Sequence, residues 1–208
     1  LRRHPQVHVL SDDIYEHLCH DGLAFFTLAQ VAPDLADRVL TLNGVSKSYA
    51  MTGWRIGYAA GPKPLIDAMR KLQGQSTTNP CSISQWAALA ALDGPQDFLA
   101  DWRTAFTRRR DLVVAALNQA PGLHCPVPQG AFYVFPQMTG CLGRRSPAGS
   151  VIDSDEAFAR ALLQETGVAV VFGAAFGMAG HFRISFATSD AALAEACSRI
   201  ADFCAALR

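Results

Sequence analysis

The chain has 208 residues, half of them apolar, and carries 18 lysines and arginines against 18 aspartates and glutamates. That length and apolar content suffice for one large domain or two small ones with a true core, and exclude a chain that is mainly disordered. The charge balance leaves no basic field for nucleic acid and no acidic tail, which favours a small-molecule partner.

Residues 1–6 lead into a strand-like run without an apolar core of signal length, so no signal peptide is expected. The apolar and β-branched runs at 7–10, 38–42 and 55–60 predict three strands, each followed by a turn or a helical stretch. That alternation predicts a three-layer α/β arrangement. From just past the second strand into the third runs Gly-Val-Ser-Lys-Ser-Tyr-Ala-Met-Thr-Gly-Trp-Arg-Ile-Gly, residues 44–57, whose only charges are Lys47 and Arg55. A lysine among apolar and small residues is costly to bury as an ammonium, which makes Lys47 a candidate nucleophile.

Residues 64–73 predict a helix with Pro64 near its first turn and Leu65, Ile66, Met69 and Leu72 at helical spacing. A second helix is predicted over 82–92, capped by Ser82 and ended by Gly94-Pro95. Residues 96–119 form the longest periodic segment, bounded by Pro95 and Pro121 and long enough to leave one packed body and enter another. Arg108, Arg109 and Arg110 within it read as a solvated helix face, because nothing basic or aromatic extends the cluster.

Past Pro121 the pattern predicts a strand at 132–135, a glycine- and serine-rich connection at 139–150, a helix at 155–166, strands at 168–171 and 182–186, and an amphipathic helix at 190–207. This is read as a second, smaller α/β domain. The uncharged stretch at 166–182 is broken by Gly167, Gly173, Gly177 and Gly180, which rules it out as a membrane span. Six cysteines without a C-x-x-C pair fit the reduced thiols of a cytoplasmic protein. His17 and His20 flank Cys19, but no second ligand cluster follows at metal-site spacing, so no metal is expected.

The segment around Lys47, Ser-Asp-Asp-Ile-Tyr at 11–15, Pro-Gln-Gly-Ala-Phe-Tyr at 128–133 and Arg-Ile-Ser-Phe at 183–186 together resemble the fold type I pyridoxal-phosphate aminotransferases. Within that family the chain is similar to the bacterial aspartate aminotransferase subgroup, including members that act on prephenate, and Gln75-Ser76-Thr77-Thr78-Asn79-Pro80 adds to that likeness. The resemblance implies a C-terminal half. Residues 1–108 then belong to the C-terminal part of the cofactor-binding large domain and residues 109–208 to the small domain, with the boundary inside the long helix.

What the resemblance implies chemically is a site for pyridoxal 5'-phosphate. Lys47 takes the part of the amine that forms a Schiff base with the cofactor aldehyde and then carries the substrate α-proton. Asp12 holds the pyridine nitrogen protonated, with Asp13 as the alternative, since neighbouring side chains on a strand face opposite ways. Tyr15 donates to the cofactor's phenolic oxygen, Arg55 holds the phosphate with Ser46 adding a hydroxyl, and Arg183 clamps the substrate α-carboxylate. The implied partners are an L-amino acid, aspartate first, a 2-oxo acid such as 2-oxoglutarate, and a second copy of the chain.

Three positions depart from the family pattern: Gly44 where relatives have serine, Phe172 where many have proline, and Ala174 where serine is common. The family's glycine-rich phosphate turn, its Asn-Pro-x-Asn-Pro segment and its distal-carboxylate residues are absent from the sequence. The 208 residues alone are therefore expected to show little or no transamination and to expose an apolar face. Two other readings share Lys47: another pyridoxal-phosphate enzyme, such as a carbon–sulfur lyase or decarboxylase, and a non-catalytic effector module that binds the cofactor.

Overall fold

A computed structural model describes residues 1–208. The chain divides into two units, Leu1–Asp101 and Trp102–Arg208. The division falls inside a long helix, where the sequence places a boundary after residue 108.

In the first unit, strands β1 (Val9–Asp12), β2 (Val39–Gly44) and β3 (Gly57–Ala60) form a sheet in the order β1-β2-β3. β1 runs parallel to β2, with Val9 opposite Val39 and Asp12 opposite Leu42, and β2 runs antiparallel to β3, with Thr41 opposite Ala60 and Gly44 opposite Gly57. These registers correct the predicted limits. The first strand starts and ends later than 7–10, because pairing with β2 continues to Asp12. The third starts at Gly57 rather than Arg55, because Arg55 has φ of 56°, which no strand tolerates.

The crossover from β1 to β2 contains a short helix α1 (Leu28–Val31) and a 3-10 turn at Pro33–Arg38, neither of which the sequence predicts. Ala32 and Leu35 of this crossover form a small core with Val39 of β2, against which Val9 and Leu28 pack. Helix α2 (Lys63–Gly74) opens with proline in its first turn, and helix α3 spans Ser82–Asp93. Ser82 does not cap α3. It is the first residue of the helix, and the N-cap is Cys81, whose side chain makes no capping bond.

Both helices leave large apolar side chains in water: Leu72 is 73% exposed, Ile83 70% and Trp86 72%. A helix that is apolar on more than one face belongs against protein on more than one side. The unit's second core cluster, Val45, Ile56 and Ala88, reaches α3 through Ala88 and Ala91 and contains no residue of α2.

The second unit contains most of helix α4 (Phe98–Gln119), then β4 (Tyr133–Val134), α5 (Asp155–Thr166), β5 (Val171–Phe172), β6 (Phe182–Ser185) and α6 (Asp190–Ala206). Its sheet has the order β4-β6-β5 with antiparallel pairing throughout. The predicted strand at 168–171 is reduced to a pair that ends at Phe172, since only Val171 and Phe172 find partners on β6.

One core holds this unit together, and helical periodicity builds it. Val113, Val114 and Leu117 of α4, Phe158 and Leu162 of α5, and Leu193, Cys197, Ile200 and Cys204 of α6 all face it. Phe158 is its hub, with Phe182 at 5.1 Å and Phe203 at 5.6 Å between ring centroids. Ser154 and Ser189 cap α5 and α6 by accepting from Ala157 and Ala192 N–H, and Gly167 ends α5 with φ of 74°.

Of the three arginines of α4 that the sequence places on a solvated face, Arg108 is exposed, Arg109 is half-buried and Arg110 is not solvated. Arg110 is buried, donating to Asp111 and to the Pro128 carbonyl, while Arg109 donates to Asp190 at 2.9 Å and Arg108 pairs with the same carboxylate. The reason is register: Arg110 lies on the same helical stripe as Val113, Val114 and Leu117, so it points inward with them.

Candidate active site

β1 and β2 deliver the first unit's candidate residues from parallel neighbours. Asp12 ends β1, and the ladder is carried one step further by Asp13 N–H donating to the Leu42 carbonyl at 2.9 Å. The two aspartates have opposite surroundings, as alternation along a strand requires. Asp12 is exposed, with its carboxylate accepting only a long contact from Ile14 N–H at 3.4 Å. Asp13 is buried, accepts from the Ser11 hydroxyl at 2.8 Å and leaves Oδ2 without a partner. Asp12 lines a hollow of about 530 Å³ with Asn43, Tyr58, Met69 and Gln73, and Asp13 does not.

The turn after β2 carries Ser46 and Lys47, both half-buried. The structure brings Lys47 to Tyr15: Nζ lies 5.9 Å from the Tyr15 ring centroid. Gly44 lets β2 and β3 cross closely, since a Cβ there would meet the Ile56 carbonyl at 2.8 Å and Ile14 Cδ1 at 3.1 Å. The departure from serine at position 44 therefore has a local reason in the close crossing of β2 and β3.

Backbone strain marks the rest of the segment. Ala50 and Arg55 have φ of 51° and 56°, positions that cost non-glycine residues about 1–3 kcal/mol each when the surroundings enforce them. The enforcing contacts are the Val45, Ile56 and Ala88 cluster with Tyr49 and Met51 against it, and the Tyr49 hydroxyl donating to Gln96 at 2.8 Å. Arg55 is exposed and ties one N–H to its own chain, at the Thr52 carbonyl 2.9 Å away.

Around this turn stands a polar group that sequence reading passed over. Glu16 accepts from Asn43 Nδ2 at 2.7 Å and lies 3.4 Å from His17 Nε2. Burial and the Glu16 charge push the Tyr49 and Tyr58 phenols up, the Gln96 contact partly offsetting this at Tyr49. Both hydroxyls thus stay protonated at neutral pH. Glu16 sits next to Tyr15 in sequence, which was the only signal available.

Arg183 belongs to the second unit, on β6, opposite Val171 of β5. Its guanidinium lies over two rings, 4.5 Å from the Tyr133 centroid and 4.4 Å from that of Phe176. Sequence reading singled out neither ring for this task, although Tyr133 stands in the Pro-Gln-Gly-Ala-Phe-Tyr motif. The contact depends on β4 and β5 flanking β6, which no local pattern reveals. No three His, Cys, Asp or Glu side chains are grouped as a metal site, and no helix is long and apolar enough to cross a membrane.

Lys47 beside the Tyr15 ring and Arg55 with spare N–H groups suit the aldehyde and the phosphate of pyridoxal phosphate, whereas the hollow that Asp12 lines contains none of Tyr15, Ser46, Lys47 and Arg55. A model of the family described as Aminotransferase class I and II matches residues 1–200. The chain is 65% identical over 207 residues to an aspartate/prephenate aminotransferase of Cereibacter sphaeroides, covering 100% of this chain and 52% of that protein. It is 56% identical to an aspartate aminotransferase of Rhizobium meliloti, covering 98% and 50%.

Among solved structures, a Rhizobium meliloti aspartate aminotransferase superposes with a TM-score of 0.95 at 55% identity, covering 99% of this chain and 52% of that one. A Thermus thermophilus aspartate aminotransferase solved with maleate gives 0.82 at 41% identity, covering 94% and 48%. The chain thus spans about half the length of the curated relatives it matches.

Proposed function

Because the chain belongs to the class I and II aminotransferases, we propose that it bears the lysine-carrying part of a pyridoxal-phosphate enzyme that moves an amino group from an L-amino acid to a 2-oxo acid. Aspartate and 2-oxoglutarate are the first candidates. The observation that carries this reading is Lys47, held 5.9 Å from the Tyr15 ring in a strained turn between glycines. The names of the relatives support aspartate, and the Thermus thermophilus structure with maleate, a four-carbon dicarboxylate, supports a substrate with two carboxylates.

Bound pyridoxal phosphate supplies an aldehyde carbon that an amine can bond and a ring that takes up the electron pair left by deprotonation. Lys47 would serve in two ways: its Nζ amine would hold the cofactor by condensing with the aldehyde with loss of water, and once the substrate amine had taken its place the same nitrogen would carry the proton of the substrate α-carbon. The Asp12 carboxylate holds a proton on the ring nitrogen, and the Tyr15 hydroxyl donates to the phenolic oxygen. Asp12 is preferred to Asp13 because its carboxylate is exposed, whereas that of Asp13 is buried and accepts from the Ser11 hydroxyl. Arg55 and Ser46 hold the phosphate, for which a guanidinium offers paired N–H donors and a charge that does not titrate. Arg183 receives the substrate α-carboxylate and orients the Cα–H bond for abstraction.

We assign full turnover to the length that the relatives have, in a homodimer and in the cytoplasm. The exposed Leu72, Ile83 and Trp86 support a larger assembly, and the free, buried thiols of Cys125, Cys141, Cys197 and Cys204 support a reducing compartment. The test is covalent capture. The chain is incubated with pyridoxal phosphate, reduced with borohydride and mapped by peptide mass. A single adduct on Lys47 is expected, and it should vanish in Lys47→Arg; an adduct centred on Lys63 or Lys71 instead would overturn the assignment.

A further inference from the structure

Most arginines of the second unit that the fold uses are tied to oxygen. Arg108 and Arg109 share Asp190, Arg110 takes Asp111 and the Pro128 carbonyl, and Arg199 takes Glu195 and the Thr166 carbonyl. Arg183 differs. The residue is half-buried, and its guanidinium makes no hydrogen bond or ion pair with the protein; its contacts are the faces of Tyr133 and Phe176. A cation over a ring face is attracted by the ring quadrupole, yet the ring takes up no strong hydrogen bond. The guanidinium is thereby restrained in position while its N–H donors stay available.

The fold builds both rings into place. Tyr133 of β4 is paired with Ser185 of β6, and Phe176 closes the 3-10 turn Gly173–Phe176 that follows β5. That turn is fixed at its root. A Cβ on Gly173 would come within 2.2 Å of the Met178 carbonyl oxygen, and the buried Asp155 carboxylate accepts from Ala174 N–H at 2.6 Å. Phe135 then meets Phe176 edge-on at 6.0 Å and stacks on His181 at 5.5 Å, bracing the ring from behind.

We infer that Tyr133 and Phe176 are positioning residues that hold the Arg183 guanidinium ready for a carboxylate, so that carboxylate affinity depends on the ring faces at these two positions. The inference rests on the reading of Arg183 given above. A flexible arginine must surrender rotamer freedom each time it binds an anion; one already held over two rings has surrendered it in folding. The ring faces, not the Tyr133 hydroxyl, do the holding.

The experiment follows the Arg183 Nε–H resonance by NMR while the chain is titrated with maleate. In the unsubstituted chain the resonance should shift with saturation. Tyr133→Leu and Phe176→Leu should each weaken the apparent affinity about fivefold, while Tyr133→Phe stays within about twofold of the parent. An Arg183 resonance indifferent to maleate would refute the carboxylate reading itself. A normal response with parental affinity in both leucine variants would overturn the positioning inference and leave that reading standing. Equal losses in Tyr133→Phe and Tyr133→Leu would also overturn it, by giving the role to the hydroxyl. Should Tyr133→Leu disturb the remaining spectrum, Phe176→Leu, in an exposed turn, decides alone.

Discussion

Lys47 shows what a single residue discloses in sequence and what it withholds. Its isolation among uncharged neighbours is enough to mark it, because an ammonium in such company needs a chemical reason. Its partner ring is less legible: Tyr15 reaches it only because β1 and β2 are parallel neighbours, and the sheet order is not written in either segment. Arg110 shows the opposite error, since a run of three arginines looks solvated until the helical register turns one of them inward.

The buried thiols allow a prediction at the same scale. Burial, with a smaller contribution from Cys197, pushes the Cys125 thiol from an ordinary 9.0 up to about 12, and burial alone pushes Cys197 up to about 11. A raised thiol pKa means that the folded form keeps protons the unfolded chain has lost, so the associated stability is complete below pH 9 and declines above it. The decline should run from pH 9 to about 11 for Cys197 and to about 12 for Cys125. Its slope is at most about 1.4 kcal/mol per pH unit for each thiol. Urea unfolding at stepped pH checks this. A Cys125→Ala, Cys197→Ala double variant should be less stable at pH 8 but show a shallower decline above pH 9.

Among the elements, legibility followed length and self-sufficiency. Helices α4, α5 and α6 repeat their apolar stripe over several turns and were visible at nearly their true limits. Strands that depend on a partner were not: the apolar run at 168–171 pairs only from Val171 onward, because β6 offers no partner earlier. Helix α1 and the 3-10 turn after it escaped notice because neither is long enough to show a period.

Caps separate pattern from structure most sharply. Ser154 caps α5 through its hydroxyl, whereas Ser82 lies inside α3 and bonds no backbone N–H. Ser154→Ala should therefore cost about 1 kcal/mol, and Ser82→Ala should leave stability unchanged or slightly raised, alanine being the better helix former. Midpoints of urea unfolding for the two variants, each against the parent chain, provide the comparison. A loss at Ser82 equal to that at Ser154 would show that the hydroxyl caps after all.

At the scale of the whole molecule the two units are unequal. The second buries a continuous core from Val113 to Leu207, with several phenylalanines at or near zero exposure, while the first has two clusters of three buried residues each. Local stability tracks buried apolar contact. Native-state hydrogen exchange should accordingly show backbone amides of α2, α3 and β3 exchanging at least about tenfold faster than those of α5 and α6. Equal protection in the two units would mean that the exposed apolar side chains of α2 and α3 are covered in solution.

The β1-β2-β3 sheet ends on both sides in a strand with one unsatisfied row of amides and carbonyls. Its two margins are also unlike in direction, since β1 and β2 run one way and β3 the other. Copies that met through unlike margins would satisfy one row and present another, a head-to-tail contact that no two-fold closes, whereas like margins meeting antiparallel would be related by a two-fold. Growth through unlike margins would then be limited by the supply of chain and not by geometry.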